Sequence, residues 1–275
     1  MDNSAQHEFW NGPVGERWAG RQDDIDNALR NISEALMVFA APMSGMKVLD
    51  AGCGAGTSTL ALAEAVAPGT ATGMDISAPM IEAARTRAAA AGIQVSFVQS
   101  DVAKHDFKPE FDLIYSRFGV MFFAEPVAGF RNLRRALKPA GRIAFACWCA
   151  FEENSWARET WAAAKDLLPA QPPVDPDAPG PFALADHARL QNILKQAGYA
   201  DIVIERLETT TVMGPTAEAA AYEALQIGPL ARAARELDDD RRRAIRARIA
   251  PVLAAYASPA GITPPAACWL AGAQA

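Results

Sequence analysis

Three acids, Asp50, Asp75 and Asp101, each stand at the end of a short apolar run, and the first is followed at once by a glycine cluster. In "VLDAGCGAGTS" the residues Gly52, Gly54 and Gly56 occupy alternate positions, with Cys53 inside the loop and Thr57 at its exit. Glycine admits positive φ and lets a ligand lie directly against the main chain. The spacing is not the G-x-G-x-x-G of dinucleotide enzymes, and no lysine follows to meet a phosphate as in a P-loop. A carboxylate two residues before the first glycine repels a pyrophosphate and favours a cation. Asp75, in "GMDIS", is placed to accept two hydrogen bonds from a ribose diol. Asp101, in "QSDV", is placed to accept from an exocyclic amine. Diol, amine and positive charge together describe S-adenosylmethionine.

Such a site needs strands that end together. From Met46 the pattern is strand then helix: "MKVLDAG", then "TSTLALAEAVAPG"; "TATGMDIS", then a helix from the N-cap Ser77 to the C-cap Gly92. "IQVSFVQSD" and "EFDLIYS" read as the third and fourth strands, "VAGFRNLRRALKPAG" as a helix, and "GRIAFACW" as the fifth strand. Strands alternating with helices imply right-handed crossovers and a doubly wound parallel α/β sheet covered on both faces, whose ligand lies outside the carboxyl ends of the strands. Upstream, residues 1–22 show no periodicity, whereas Ile25, Leu29, Ile32, Leu36 and Phe39 predict one amphipathic helix. Downstream, a short helix and a proline-rich excursion precede "LADHARLQNILKQAGYADIVIERLETTTV", a capped helix and long strand. Residues 216–257 read as helical, with Pro251 as a kink, and "AACWLAGAQA" as a last strand. The whole chain is expected to be one domain: arm and helix over 1–45, cofactor-binding core over 46–150, and insertions at 151–185 and 216–262 that cap the acceptor side.

Composition narrows the partners. The 275 residues are 51% hydrophobic and 21% charged, with a formal net charge of −6. An acidic chain without a terminal basic block offers no electrostatic reason to bind nucleic acid or an anionic membrane surface. The basic run Arg241–Arg243 follows acids and reads as a solvated helix face. "MDNSAQHEFW" has neither basic n-region nor apolar h-region, and nowhere do eighteen apolar residues run together, so no membrane span and a cytoplasmic protein are expected. Cys53, Cys147, Cys149 and Cys268 lack the spacing of a zinc site or a disulfide framework, so no metal is expected.

"VLDAGCGAG", "GMDIS", "QSDV", "FDLIYSRFGVMFF" and "LKPAGRIAFACW", in that order, resemble the successive motifs of class I S-adenosylmethionine-dependent methyltransferases, in particular the ubiquinone/menaquinone-biosynthesis-like (type 11) small-molecule branch. The resemblance is dense from Val48 to Trp148 and looser beyond. It implies a Rossmann-like seven-stranded sheet, mostly parallel with an antiparallel last strand. It implies that Gly52, Gly54 and Gly56 line the methionine part of the cofactor, with Asp50 near its amino group. Asp75 would hold the ribose, with Ile76 and Met80 near adenine, and Ser100, Asp101 and Val102 would lie at the adenine edge. Ser116, Arg117 and Phe118 would face methyl donor and acceptor. Ala140 departs from the pattern, since such sequences usually carry a second glycine before the fifth strand.

The expected function is transfer of a methyl group from S-adenosylmethionine to a small-molecule acceptor by in-line displacement, which needs alignment more than acid–base machinery; no catalytic base is named. The acceptor pocket is expected between Arg117 and Phe118, the excursion around Asn154 and Trp156, and the helices of 216–257, and its apolar content favours a partly apolar acceptor with a polar or anionic group. Trp10 and Trp18 either anchor the arm on the core or cover the cofactor. Two rival classes are a cofactor-binding regulator or subunit without catalysis and a nucleotide-dependent oxidoreductase, the latter opposed by the glycine spacing and by Asp50. "SRFG" after the fourth strand lacks the Asn/Asp-Pro-Pro-aromatic signature of DNA amino-methylating enzymes. Monomer and homodimer both remain open.

Overall fold

The computed structural model describes residues 3–170, 175 and 178–275. Its core is a seven-stranded sheet. The strands β1 (Lys47–Ala51), β2 (Thr70–Asp75), β3 (Ser96–Gln99), β4 (Phe111–Arg117) and β5 (Leu137–Trp148) run parallel, in the spatial order β3-β2-β1-β4-β5. The reversal of order between β1 and β4 is the switch point at which such sheets bind ligands. Beyond β5 the chain's last strand lies antiparallel to it and to β6 (Ala200–Thr210), which forms the edge. A two-residue pair, β7 (Ala257–Ser258) and β8 (Gly261–Ile262), precedes that last strand, β9 (Pro265–Gln274).

The arm carries structure that periodicity did not announce. Residues 1–22 contain two short helices, α1 (Ser4–Asn11) and α2 (Pro13–Ala19), joined at Gly12. The expected single helix is interrupted at Leu29 (φ −102°, ψ 8°) into α3 (Gln22–Ala28) and α4 (Arg30–Ala40). The crossovers are α5 (Thr57–Val66), α6 (Ala78–Ala91) and α7 (Pro126–Ala136). Ser77 and Gly92 cap α6 as expected, the Ser77 hydroxyl accepting from the Met80 amide and Gly92 lying in the left-handed region. The connection from β3 to β4 has no helix, because "SDVAKHDFKPE" carries no apolar stripe. The sheet is therefore not helix-covered throughout, and a cavity of about 200 Å³ opens there among Thr72, Met74, Val98, His105 and Phe111.

Two cores result. The larger is the sheet and its helices: α7 packs Phe130 against Phe145 on one face, and α4 brings Phe39 to Gly272 on the other. The smaller belongs to α8 (Ser155–Ala164), α10 (Ala217–Ala224), α11 (Pro229–Ala233) and α12 (Asp239–Ala254), whose apolar sides meet around Ala164, Ala221, Leu225, Ile245, Ile249 and Leu253. α9 (His187–Ala197), whose Leu190, Ile193 and Leu194 belong to the larger core, is capped by the Asp186 carboxylate on the Arg189 amide and leads through Gly198 into β6. Pro251 sits within α12 without ending it. The proline-rich excursion falls partly on residues 171–174 and 176–177, outside the described residues. Among the described residues no helix is long and apolar enough to cross a membrane, and no cluster of His, Cys, Asp and Glu could hold a metal.

Candidate functional site

The site forms where β1 to β4 end. Asp50 is fully buried at the end of β1. Its Oδ2 accepts from Ser58 Oγ (2.6 Å) and Thr59 Oγ1 (2.7 Å), both in the first turn of α5, whereas its buried Oδ1 has no partner. Burial pushes its carboxyl up to about 6; the Ser58 and Thr59 hydroxyls and the Arg117 charge pull it down, and Asp75 adds to the rise. A buried acceptor oxygen left over in this way calls for a donor, and a cationic one would also hold the carboxylate ionised.

The glycine loop explains why the backbone here is bare. Gly52 has φ +71°, and a Cβ on it would come within 2.7 Å of Gly119 Cα, so the loop and the end of β4 are in backbone contact. Gly54 also has positive φ (+54°), but a Cβ there would find only the Met80 methyl, 3.8 Å away: the loop presents its open side at this residue. Asp75 ties the loop down, its Oδ2 accepting from the Gly54 amide (2.8 Å) and its Oδ1 from the Ser77 amide (2.9 Å). Burial raises the Asp75 carboxyl, and the Ser77, Gly54 and Ile76 amides oppose that rise. Each of its oxygens retains a lone pair for a hydroxyl, so tethering of the loop and diol binding are compatible on this residue. The Cys53 thiol is held well above its usual range by burial and by the charges of Asp75 and Asp50, so it stays protonated.

Asp101 follows β3, where its Oδ1 accepts from the Ala103 amide (2.9 Å) and its Oδ2 from Asn3 Nδ2 (2.8 Å). Val102 beside it is buried, and the Ser100 hydroxyl lies 3.0 Å from His105 Nδ1.

The arm crosses all four strand ends. Asn3 meets Asp101 after β3. Next to β2, the Ser77 hydroxyl donates to the Trp10 carbonyl (2.7 Å), and the Asn11 amide pairs with the Ile76 carbonyl and the Ala78 amide. The Trp10 ring lies edge-on to Trp18 and to Phe122, which follows β4. Asp26 of α3 then gathers Thr57 from the end of the glycine loop, Gln22 (2.7 Å), Arg87 of α6 (3.2 Å) and Arg117 of β4 (3.0 Å). Trp10 and Trp18 thus anchor an arm that also covers the site.

Three expected contacts are placed differently. Ser116 is buried, and its hydroxyl donates to the Ala51 carbonyl (2.6 Å), bracing β4 on β1. Arg117 directs its guanidinium to Asp26 Oδ1 (3.0 Å) and to Ser33 Oγ (2.8 Å) of the arm helices. Asn154 is fully buried and satisfied, its Nδ2 donating to the Cys149 and Ala150 carbonyls and its Oδ1 accepting from Trp156 Nε1 and the Ala267 amide. It has no polar atom left for a ligand. The residues that do converge above β4 and β5 are aromatic. Phe118, at φ +63°, stacks on Trp148 with centroids 4.4 Å apart; Trp148 meets Trp156 at 5.1 Å, and Trp156 faces Phe182 at 6.3 Å. Positive φ in a bulky residue is strained and persists where its surroundings hold it. The tip of the Trp156 ring abuts Gly228 at the start of α11, where a Cβ would come within 2.9 Å of it.

Sequence reasoning did not find Asp26, Asn3 or Trp148. Asp26 lies in the predicted helix beside Ile25 and shows its role only through partners distant in the chain. Trp148, at the end of a recognised strand, was within reach of the rule that ligands meet strand ends.

A cofactor bearing an ammonium, a sulfonium, a diol and an adenine fits these groups: an unpartnered buried carboxylate oxygen at Asp50, open backbone at Gly54, and acids with spare lone pairs at Asp75 and Asp101. Residues 48–141 match the family described as "Methyltransferase domain". The chain is 39% identical over 104 residues to demethylmenaquinone methyltransferase of Clavibacter sepedonicus, covering 38% of this chain and 41% of that protein. It is 30% identical over 138 residues to ubiquinone biosynthesis O-methyltransferase of Klebsiella pneumoniae, covering 48% of this chain and 56% of that one. It thus spans between two-fifths and three-fifths of the length of these relatives. In fold it is similar to the YcgJ protein of Bacillus subtilis, with a TM-score of 0.59 at 18% identity over 89% of this chain and 98% of that one. Residues 48–141 thus carry a match to a methyltransferase domain, and with the motifs at the four strand ends they are similar to S-adenosylmethionine-dependent methyltransferases that act on quinone-type compounds by name.

Proposed function

We propose that the protein transfers a methyl group from S-adenosylmethionine to a small, partly apolar acceptor. The observation that carries this reading is the buried Asp50 carboxylate with one oxygen unpartnered beside the open backbone of Gly54. When bound, S-adenosylmethionine supplies a methyl on a sulfonium whose leaving group is already activated. The chain's work is to hold, align and keep dry. Asp50 and the glycine loop hold the amino-acid end, and Asp75 holds the ribose diol. Asp26 fixes Arg117, so that a guanidinium stands near the β4 end without entering the acceptor space. The arm, docked over β1 to β4, excludes water from the reacting atoms. Phe118, Trp148, Trp156 and Phe182 offer flat apolar walls to an aromatic or quinone-like acceptor, a class in line with the names of both relatives.

The test is calorimetry followed by turnover. S-adenosylhomocysteine should bind in the micromolar range and NAD poorly; incubation with S-adenosylmethionine and a panel of phenols, hydroquinones and small carboxylic acids should release S-adenosylhomocysteine with one of the aromatic members. Binding of NAD without S-adenosylhomocysteine would reject the cofactor. Binding without turnover on any aromatic acceptor would favour a regulator or subunit that only senses the cofactor.

A further inference from the structure

The inward side of α1 and its N-cap Asn3 combines two polar side chains with one aromatic ring, Trp10. Asn3, Gln6 and Trp10, spaced three and four residues apart, share one side of this first helical segment. Asn3 is 9% exposed, while the apolar Phe9 is turned outward at 37% exposure. A helix docked only to shield a core would show the opposite arrangement. Asn3 donates its amide to Asp101 Oδ2, which orients the side chain and leaves Oδ1 buried without a partner. One turn on, Gln6 Oε1 is likewise buried and unpartnered. Two neighbouring orphaned acceptors are costly, and both lie on the arm that meets the end of β3, the adenine end of the site proposed above.

We propose that Asn3 and Gln6 complete the adenine subsite and select for the exocyclic amine. That amine carries two N–H groups, more than the Asp101 carboxylate is needed to satisfy alone. With one N–H directed to Asp101, the other finds an acceptor in the arm, whereas a base bearing a carbonyl oxygen at the same position faces the Asp101 carboxylate and the Asn3 oxygen that Asp101 orients, and gains a donor only by turning over the Gln6 amide. The arm is thereby a reader of the cofactor as well as its cover. The inference rests on the assignment of S-adenosylmethionine to this cleft.

The experiment compares binding of S-adenosylhomocysteine and S-inosylhomocysteine, in which the amine is replaced by a carbonyl oxygen, to the full chain by calorimetry. The wild type should prefer the adenine compound by at least about tenfold. Gln6→Leu, which keeps the Asn3–Asp101 contact, and Asn3→Ala should each weaken the adenine compound while leaving the inosine compound unchanged or tighter, so that the preference collapses. Equal loss for both ligands, or an unchanged ratio, would reduce the arm to a roof and overturn the proposal. Failure of the wild type to bind S-adenosylhomocysteine would instead reject the cofactor assignment itself and this inference with it.

Discussion

At the scale of single residues, Asp50 sets function against stability. Its carboxyl titrates at about 6 in the folded protein, against about 3.9 in an unfolded chain. Between those values the folded state keeps a proton that the unfolded state has lost, so this group's contribution falls as pH rises from about 4 to about 6 and stays reduced above, by about 3 kcal/mol in all. Asp50→Asn keeps the shape and the acceptor that Ser58 and Thr59 use. It should raise stability at pH 8 by about 1–3 kcal/mol and abolish the step between pH 4 and 6, read as denaturant midpoints at pH 5 and 8. The same variant should lose cofactor affinity, and wild-type affinity should fall below about pH 6 as Asp50 takes up its proton. A variant as unstable at pH 8 as the wild type would refute the strain assigned to the buried charge. Ala140 is the plainer case. It departs from the usual glycine, and it is exposed at φ +65°, in the left-handed region that disfavours a Cβ. Ala140→Gly should therefore stabilise by about 0.5–1 kcal/mol, with unchanged denaturant slope and unchanged cofactor binding.

At the scale of elements, the arm is held by charge as well as by the ring contacts of Trp10 with Trp18 and Phe122. Asp26, with its side chain 16% exposed, binds Arg117, Arg87, Thr57 and Gln22 together, joining α3 to α5, α6 and β4. Asp26→Asn keeps the hydrogen-bonding shape but takes the counter-charge from the Arg117 guanidinium and leaves Arg87 only the exposed Asp23 carboxylate at 3.6 Å, a loss of about 1–2 kcal/mol. Hydrogen exchange should quicken across residues 3–28 and at Thr57 while the β1–β4 ladder stays protected; uniform exchange across the molecule would mean that the arm is not a separate unit. This dependence on charge also shows what was legible beforehand. β1 to β5 and their crossovers α5, α6 and α7 announced themselves through alternation, periodicity and caps such as Ser77 and Gly92, all of which are local. The three acids and the glycines could be placed because strand ends in such a sheet share one rim. The helices α1 and α2 were not legible, since an inward face of Asn3, Gln6 and Trp10 has no apolar period to read. Arg117 and Asn154 were given to the ligand because their types suit one, but each is held by partners far away in the chain, Asp26 and Ala267 among them.

At the scale of the whole molecule, the aromatic cluster proposed to face the acceptor belongs to the sheet's core, with Phe118 and Trp148 inside it and Trp156 and Phe182 packed against it, and it meets the cap at its outer edge. Every group assigned to the cofactor lies on the sheet or the arm, whereas the aromatic wall above β4 and β5 is completed from the helical cap, where Gly228 of the α11 turn receives the Trp156 ring. Arg21 ties the arm to the cap through Glu223 and lies 5.7 Å from the Tyr222 ring centroid, so the two halves are in contact but their apolar interiors are distinct. A lesion in the cap should therefore injure the acceptor side first. Trp156→Ala removes a half-buried ring that touches Trp148, Phe182 and Gly228; acceptor KM should rise by about tenfold or more while S-adenosylhomocysteine affinity moves by less than about twofold. Ile249→Ala, fully buried in the cap 's own interior and remote from every ligand, should cost about 2–4 kcal/mol of stability there. At temperatures where that cap is loosened, turnover should drop with S-adenosylhomocysteine still bound. Loss of cofactor affinity in step with acceptor turnover in both variants would mean that the cap and the sheet act as one unit, and that the acceptor wall does not lie where Phe118, Trp148 and Trp156 meet.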